Sequence, residues 1–320
     1  MKKETETVLP AQQLFKRVLK LMGNRFEISI VSNSNNPAFA ENCIDAAVME
    51  IQRIENLLTT YCELSQTNLI NDAAGFQAVK VDREVFDLIR RSIKISELTQ
   101  GAFDISYGSI DKRLWNFDKN MTSLPNTQIA KKMVRLINYR NIVLNEVDCT
   151  VYLKEKGMRI GFGGIGKGFA AERAKLVLQQ MDVESGIVNA AGDLVTWGLQ
   201  PDGKPWTIGI ASPDGNHHPF SYLDISGAAV ATSGNYEKFV MIGGKKYSHT
   251  IDPKTGMPVE GIKSVTIICP NAEIADAMAT PVMVMGIEVG LDMINQMKNI
   301  ACIIIDDEDK IYTSKNINLQ

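Results

Sequence analysis

The sequence is poor in the residues from which compact metal centres and disulfide frameworks are built. It contains three histidines and five cysteines among 320 residues. No two cysteines have C-x-x-C spacing, which argues against a zinc site and against a disulfide scaffold. We therefore expect reduced thiols at all five cysteine positions, which are Cys43, Cys62, Cys149, Cys269 and Cys302.

The sequence also lacks an excess of positive charge and a long apolar run. Its net charge of −3 gives no support for a nucleic-acid-binding surface. No run is long and apolar enough to span a bilayer, and residues 1–10 never reach the apolar region of a signal peptide. As given, the sequence predicts a cytoplasmic protein, or a periplasmic or membrane-anchored one if a leader has been removed.

Helix-like and strand-like patterns alternate along the chain without a repeat or a linker rich in proline and serine. With 45% hydrophobic residues, this predicts a polar leader over residues 1–20 and one α+β domain over residues 21–320, with two lobes as an option. We expect helices at 38–58, 83–99, 169–181 and 273–297, strands at 26–31, 206–211, 265–269 and 300–305, a strand from 186 that leads into a glycine turn before 193, and a hairpin at 237–251 around Gly243 and Gly244.

The glycine-rich stretch at residues 158–169 is the most informative segment. It matches G-x-G-x-x-G and the start of a P-loop, through Gly161, Gly163, Gly166 and Lys167. A P-loop requires Ser or Thr at the next position, where this chain has Gly168. Glycines let backbone amides approach phosphate oxygens, and the positive end of the following helix favours the same anion. The segment therefore predicts a phosphorylated ligand.

Other interpretations of this segment stay open. It could be a flexible surface turn ahead of a helix that has Glu172 in its first turn. It could also belong to a nicotinamide dehydrogenase, because Asp182 and Glu184 lie near the position expected for a ribose-binding acid. Two predicted helices precede the glycines, which weakens the second alternative.

Asp276 and Thr280 are four residues apart in a predicted helix, so their oxygens project from one face. Neighbouring residues on that face are alanine and methionine, and an unpaired buried carboxylate would be costly there. A carboxylate with a hydroxyl suits Mg²⁺. The alternative is that both side chains bond within the protein, and Pro281 is expected to kink the helix beside them.

Three more side chains are candidates for chemistry. His249 lies where a strand ends in a turn fixed by Pro253, a suitable place for moving protons near neutral pH. It could equally be a packed or surface histidine. Asp104 could accept hydrogen bonds from a base or sugar, or cap a turn. Tyr61 could stack on a ring or close the core.

Taken together and in order, these segments resemble the ApbE family of FAD:protein FMN transferases from about Leu21 to Ile305. The matching pieces are Met22-Gly23, Tyr61 followed by Ser65 and Asn71, Thr99-Gln-Gly-Ala-Phe-Asp104, Gly163-Gly-Ile-Gly-Lys-Gly168, Asn189-Ala-Ala-Gly-Asp193, Ala231-Thr-Ser-Gly234, His249-Thr-Ile-Asp-Pro-Lys-Thr-Gly256 and Ala275-Asp-Ala-Met-Ala-Thr280.

The resemblance implies an α+β fold of the T-fold-like type, with an FAD site that would lie between the lobes. It implies an Mg²⁺-dependent enzyme that transfers the FMN half of FAD to a threonine or serine hydroxyl of a partner flavoprotein and releases AMP. Two alternatives within the same resemblance are Mg²⁺-dependent hydrolysis of FAD to FMN and AMP, and binding of FAD without catalysis.

The resemblance also implies roles for individual residues. His249 would be the base and Asp276 a further catalytic residue, while the Gly166 carbonyl, Asp276 and Thr280 would ligate Mg²⁺. Tyr61 would stack on the isoalloxazine, and the residues implied in FAD binding are Met22, Tyr61, Ser65, Asp104, Gly164, Lys167, Asp193, Ser233 and His249. The chain departs from the usual family pattern at Gly161, Gly166 and Ala191, where Asp, Ala and Gly are common, and Pro281 follows the metal threonine.

Overall fold

The computed structural model describes residues 12–33, 35–110, 123–211, 219–234, 239–248 and 250–317. These residues form seven α-helices: α1 (Pro37–Leu58), α2 (Gln66–Asp72), α3 (Arg83–Leu98), α4 (Thr127–Met133), α5 (Gly166–Gln180), α6 (Ala272–Met285) and α7 (Ile287–Asn295). They also form fifteen strands: β1 (Gln12–Leu21), β2 (Asn24–Asn33), β3 (Val79–Lys80), β4 (Ile142–Asn145), β5 (Thr150–Leu153), β6 (Gly186–Ala190), β7 (Asp193–Trp197), β8 (Trp206–Ala211), β9 (Pro219–Ile225), β10 (Ala229–Gly234), β11 (Phe239–Ile242), β12 (Lys245–Ser248), β13 (Ile262–Cys269), β14 (Ala301–Asp306) and β15 (Ile311–Thr313).

Eight strands form the main sheet, in the order β1-β2-β6-β7-β10-β13-β14-β15. Every strand pair in the described part of the chain is antiparallel. Helices alternate with these strands, so the predicted α+β class is confirmed. A dinucleotide-binding fold needs a parallel sheet, so the dehydrogenase interpretation loses its structural basis.

The core lies between the main sheet and helices α1, α5 and α6, which pack side by side. Strand β2 contributes Phe26, Ile28 and Ile30, all fully buried, because alternate residues of a strand point to the same face. Helix α1 begins where Asn36 accepts a hydrogen bond from the Phe39 amide at 3.1 Å. Its apolar stripe then packs against the sheet.

The structure corrects the expected leader, because residues 12–20 belong to a strand. Strand β1 pairs with β2 along its whole length, from Gln12 opposite Asn33 to Leu21 opposite Asn24. Partly or fully covered residues alternate with exposed ones, as in an edge strand with one buried face: the covered residues are Phe15, Arg17, Leu19 and Leu21, and the exposed ones are Leu14, Lys16, Val18 and Lys20. The expected domain start at residue 21 therefore divides a β-hairpin.

Two predicted helices have different limits from those expected. Helix α5 begins at Gly166, three residues earlier than predicted, so Glu172 lies in its second turn. The helix predicted at 273–297 ends at Gly286, whose φ of +83° is incompatible with a continuing helix, and α7 starts after it. Helix α6 continues through Pro281. None of the described helices is both long and apolar enough to cross a membrane.

The predicted hairpin is confirmed in its described part. Strands β11 and β12 pair around Gly243 and Gly244, which have φ values of +58° and +80°. A two-residue turn of this kind needs positive φ at both central residues, which glycine adopts without steric cost. Residues 237, 238 and 249 of the predicted hairpin lie outside the described residues.

Candidate active site

A cavity of about 670 Å³ opens where the β1–β2 turn, the end of α1 and the glycine-rich stretch meet. Its volume falls within the range of about 300–1,000 Å³ that is typical of small-molecule sites. Its walls include apolar side chains such as Phe103 and Phe162, and its polar groups include Lys167 and Thr280. The cavity can therefore hold a ligand with an extended apolar part and a charged part.

The glycine-rich stretch is held in place from outside by Asn71. The Asn71 amide donates to the Ile160 carbonyl at 3.1 Å, and the Ile160 N–H donates to the Asn71 side-chain oxygen at 2.7 Å. Gly161 and Gly163 follow and line the cavity, and a Cβ added to either would meet no atom within 4 Å. The space beside both glycines is thus open to the cavity, while the Gly161 N–H itself donates to the Ile105 carbonyl at 2.9 Å.

Close packing at Gly168 explains the mismatch with a P-loop. A Cβ at this position would lie 2.1 Å from the Ala272 carbonyl oxygen and 2.9 Å from the Asp276 Cβ. Helices α5 and α6 touch here, so a serine or threonine has no room. The residue that a P-loop uses for Mg²⁺ is replaced by a helix contact, and α6 brings a carboxylate to the same place.

Lys167 and two buried carboxylates form the charged end of the site. The Lys167 ammonium forms an ion pair with Asp193 and lies 3.9 Å from Asp276 Oδ1. Asp276 Oδ2 accepts a hydrogen bond from the Gly168 N–H at 3.0 Å. Burial raises the pKa of the Asp276 carboxyl, while Lys167 and the backbone amides of Lys167 and Gly168 oppose the shift. One ammonium group between two carboxylates leaves room for a further positive charge.

Two hydroxyl groups extend this cluster towards the cavity. Thr280 lines the cavity one helical turn beyond Asp276, and its oxygen lies 3.3 Å from the Ser233 hydroxyl on β10. Carboxylate and hydroxyl oxygens are the ligands that Mg²⁺ prefers. Within the described residues, no group of three or more His, Cys, Asp or Glu side chains could hold a metal ion. A cation here would therefore depend on hydroxyl, backbone or ligand oxygens besides Asp276.

Asp104 lines the cavity, but its carboxylate is already engaged by the protein. Oδ1 accepts hydrogen bonds from the Ser106 amide at 2.8 Å and the Ser106 hydroxyl at 2.6 Å, and Oδ2 accepts one from the Tyr139 amide at 2.8 Å. Burial raises the pKa of Asp104, and these hydrogen bonds together with Arg140 lower it. The turn-capping alternative thus describes what its side chain does in this structure.

The remaining predicted residues fall into different places. Met22 and Tyr61 line the cavity, and Tyr61 is 98% exposed, so its ring does not close the core. Gly164 lies on the wall, and a Cβ there would be 3.8 Å from the Thr280 hydroxyl. Ser65 instead caps α2 through the Asn68 amide at 3.1 Å and does not line the cavity. Residues 250, 251 and 253 line it, but His249 lies outside the described residues.

Gly166 occupies a structural position as the first residue of α5. A Cβ there would lie 3.2 Å from the Phe162 Cβ and 3.8 Å from Leu58 and Met22 atoms. Its N–H donates to the Phe162 carbonyl at 2.7 Å, which closes the turn between the glycine-rich stretch and the helix. The Gly166 carbonyl stays a predicted ligand.

Two residues of the site were not found from chemistry in the sequence. Asn71 entered only as part of the family resemblance, and its hydrogen bonds with Ile160 join residues 89 positions apart in the sequence. Tyr107 lines the cavity, and burial raises its pKa to about 12, partly offset by a hydrogen bond with the Ile251 backbone. A lone Asn or Tyr carries no local signal that would reveal either contact.

Comparisons with known proteins find similarity over most of the chain. The family model described as "ApbE family" matches residues 22–304. The chain is 32% identical over 268 residues to a Klebsiella pneumoniae (strain 342) protein named FAD:protein FMN transferase, covering 83% of this chain and 80% of that one. It is 28% identical over 293 residues to a Treponema pallidum protein of the same name, covering 86% and 81%. The crystal structure of an ApbE protein from Thermotoga maritima superposes with a TM-score of 0.85 at 30% identity, covering 95% of this chain and 97% of that one.

Proposed function

This chain belongs to the ApbE family, and on that premise we propose that it is a flavin transferase which moves the FMN half of FAD to a threonine or serine hydroxyl of a partner flavoprotein. The observation that carries the proposal is the arrangement at Lys167. This residue lines the cavity, and its ammonium group lies beside the carboxylates of Asp193 and Asp276. A large cavity with mostly apolar walls suits the flavin ring, and its charged end suits a diphosphate together with a cation that offsets the second carboxylate.

The proposed reaction exchanges the phosphoanhydride link between the two halves of FAD for a phosphoester link to the acceptor. The acceptor hydroxyl oxygen attacks the phosphorus of the FMN half, and a new P–O bond forms. The bond between that phosphorus and the oxygen shared with the AMP half breaks, so AMP leaves with the electron pair. The hydroxyl proton goes to a base, and His249 is the candidate for this role. A threonine hydroxyl is a weak nucleophile, so a positioned base contributes to the rate.

Each residue of the charged end has a task in this proposal. Lys167 and the amides of the glycine-rich stretch after Gly161 hold the diphosphate, because backbone N–H groups and an ammonium bind phosphate oxygens well. Positioning and charge stabilisation are the main contributions of enzymes to phosphoryl transfer. Asp276 and Thr280, with the carbonyl of Gly166, would hold Mg²⁺, which supplies a positive charge beside the transferring phosphoryl group when bound.

One experiment separates this function from its alternatives. The purified protein is incubated with FAD and MgCl₂, with and without a flavin-free acceptor domain, and all species are analysed by mass spectrometry. Transfer predicts an acceptor mass increased by FMN less water, together with an equal amount of AMP. Hydrolysis predicts FMN and AMP at the same rate without acceptor, and binding alone predicts no AMP.

A matched variant connects the result to the cavity. Thr280→Val keeps the volume of the side chain and removes its hydroxyl, so we expect loss of AMP formation with FAD still bound. Acceptor labelling that is equally fast in Thr280→Val would contradict the role given to this hydroxyl.

A further inference from the structure

Helices α5 and α6 each supply one carboxylate, which accepts a hydrogen bond from a backbone N–H in the first turn of the other helix. Ile165, which immediately precedes α5, gives no side-chain cap, and the Gly168 N–H donates to Asp276 of α6. At the start of α6, the Ala272 N–H donates to Glu172 Oε1 of α5 at 2.6 Å. The first N–H groups of a helix have no partner within that helix, so both contacts satisfy donors that would otherwise be unpaired.

The two contacts have a regular spacing. Gly168 and Glu172 are four residues apart on α5, and Ala272 and Asp276 are four residues apart on α6, so the contacts lie one helical turn from each other. The helices run in opposite directions between them. Because the missing side chain of Gly168 lets the two backbones touch, a shift of α6 along α5 would break both contacts together.

We propose that Glu172 is a positioning residue for the carboxylate of Asp276. The Ala272 contact sets where α6 begins along α5, and Asp276 follows one turn later on the same rigid helix. Only 13% of the Glu172 side chain is exposed, so the acceptor is held in place by its surroundings, and its second oxygen lies 3.7 Å from the Lys175 ammonium, beyond hydrogen-bond distance. The inference rests on the proposed function for the claim that Asp276 serves a metal.

The other contacts at the start of α6 do not involve α5. Asn271 caps the helix from its own chain through the Ile274 amide at 3.0 Å. Glu273 forms a paired hydrogen bond with Arg91 of α3, at 2.6 and 2.9 Å. These contacts fix the end of α6 and connect it to α3. The Glu172 contact is the one among them that reaches α5, where Lys167 and Gly168 lie.

Three variants test the proposal. Glu172→Ala removes the acceptor for the Ala272 N–H, Glu172→Gln keeps an oxygen acceptor without charge, and Lys175→Met removes the neighbouring ammonium and leaves the contact intact. The first measurement is hydrogen exchange of the Gly168 amide by NMR, which needs neither metal nor flavin. The second is Mg²⁺ binding by isothermal titration calorimetry in the absence of FAD.

We expect the Gly168 amide to exchange about tenfold faster in Glu172→Ala, because its acceptor Asp276 is no longer held in place. Mg²⁺ binding should weaken by about tenfold in the same variant, as is typical when a group that orients a ligand is removed. Glu172→Gln should restore most of both values, and Lys175→Met should resemble the wild type.

The two measurements keep the positioning role separate from the proposed function. Unchanged exchange at Gly168 in Glu172→Ala would overturn the positioning role, whatever the protein does with FAD. A lowered melting temperature with unchanged exchange and unchanged Mg²⁺ binding would show a purely structural contact and overturn it too. Absence of Mg²⁺ binding in the wild type would count against the proposed function, and the exchange result would still decide the role of Glu172.

Discussion

The Gly168 N–H donates a hydrogen bond to Asp276 Oδ2 at 3.0 Å, across 108 residues of sequence. One carboxylate thus caps helix α5 and also stands beside Lys167 at the end of the cavity. The residue that orders the fold at this point is also the residue proposed to hold a cation. Substitutions near this contact should therefore change stability and ligand binding together, unless they are chosen to separate the two.

Replacement of Gly168 tests the helix contact. In Gly168→Ala the new methyl group would lie 2.1 Å from the Ala272 oxygen, so α5 and α6 must move apart. We expect the free energy of unfolding to fall by about 2 kcal/mol, as for other overpacked sites. Urea denaturation measures it. Gly163→Ala is the matched control, because its methyl group enters open space, and it should stay within about 0.5 kcal/mol of the wild type. Equal stability of the two variants would contradict the contact.

Replacement of Lys167 tests the charge balance. In Lys167→Met the buried carboxylate of Asp193 loses its ion-pair partner, and Asp276 loses a nearby positive charge. We expect FAD to bind more weakly, while the increase in melting temperature caused by MgCl₂ becomes larger than in the wild type, because the cation now compensates both carboxylates. Differential scanning fluorimetry with and without MgCl₂ measures this, with Lys175→Met as control. An Mg²⁺-dependent increase no larger than in the wild type would argue against competition between Lys167 and a cation.

Replacement of Asn71 tests the two hydrogen bonds that hold the glycine-rich stretch at Ile160. Asn71→Leu leaves the Ile160 N–H and carbonyl without their side-chain partners in a buried position. We expect a loss of stability of about 2 kcal/mol and weaker FAD binding, since the amides that follow Ile160 lose their fixed position. Fluorescence titration with FAD measures the second effect. Asn145→Ala removes hydrogen bonds of the exposed turn after β4 but no residue of the cavity wall, so it should leave FAD affinity unchanged. Unchanged FAD affinity in Asn71→Leu would show that the stretch is held by other contacts.

The thiols provide a prediction that depends on pH. Burial raises the pKa of Cys269 to about 11 and that of Cys302 to about 12, so both stay protonated between pH 7 and 9. Cys62 is exposed beside Tyr61. We expect a thiol reagent at pH 8 to label Cys62 first, and Cys62→Ser to abolish this fast reaction. Cys269 and Cys302 should react only after unfolding. Fast labelling of either in the native protein would show that its strand is accessible.

Local patterns in the sequence were sufficient for the elements whose burial follows a simple period. The predicted helix at 83–99 matches α3, because its apolar residues recur on one face, and the strand at 206–211 matches β8. Strand β1 was missed because its lysines and arginine make it look like a solvated leader, although it pairs with β2 and contacts helix α1. The early start of α5 was missed because glycine disfavours helix, a preference that close packing on Ala272 overrides.

The candidate site was also predictable from the sequence only in part. The spacing of Asp276 and Thr280 predicted two oxygens on one helix face, and both residues lie next to the glycine-rich stretch. The partners of these groups could not be predicted, because the contact between Glu172 and Ala272 joins residues 100 positions apart. Asp104 shows a different limit. Its spacing was compatible with a ligand contact and with a turn cap, and in the structure the carboxylate caps the turn.

The strand order of the main sheet has a consequence for biosynthesis. The cavity is lined by residues from Met22 in the first hairpin to Thr280 in α6, so most of the chain must be made before the walls can close. Contacts between such distant segments form late, because a long stretch of chain must be ordered to join them. Flavin can therefore be captured only by a nearly complete polypeptide, and a chain that stalls on the ribosome before α6 has no enclosed pocket with which to sequester it.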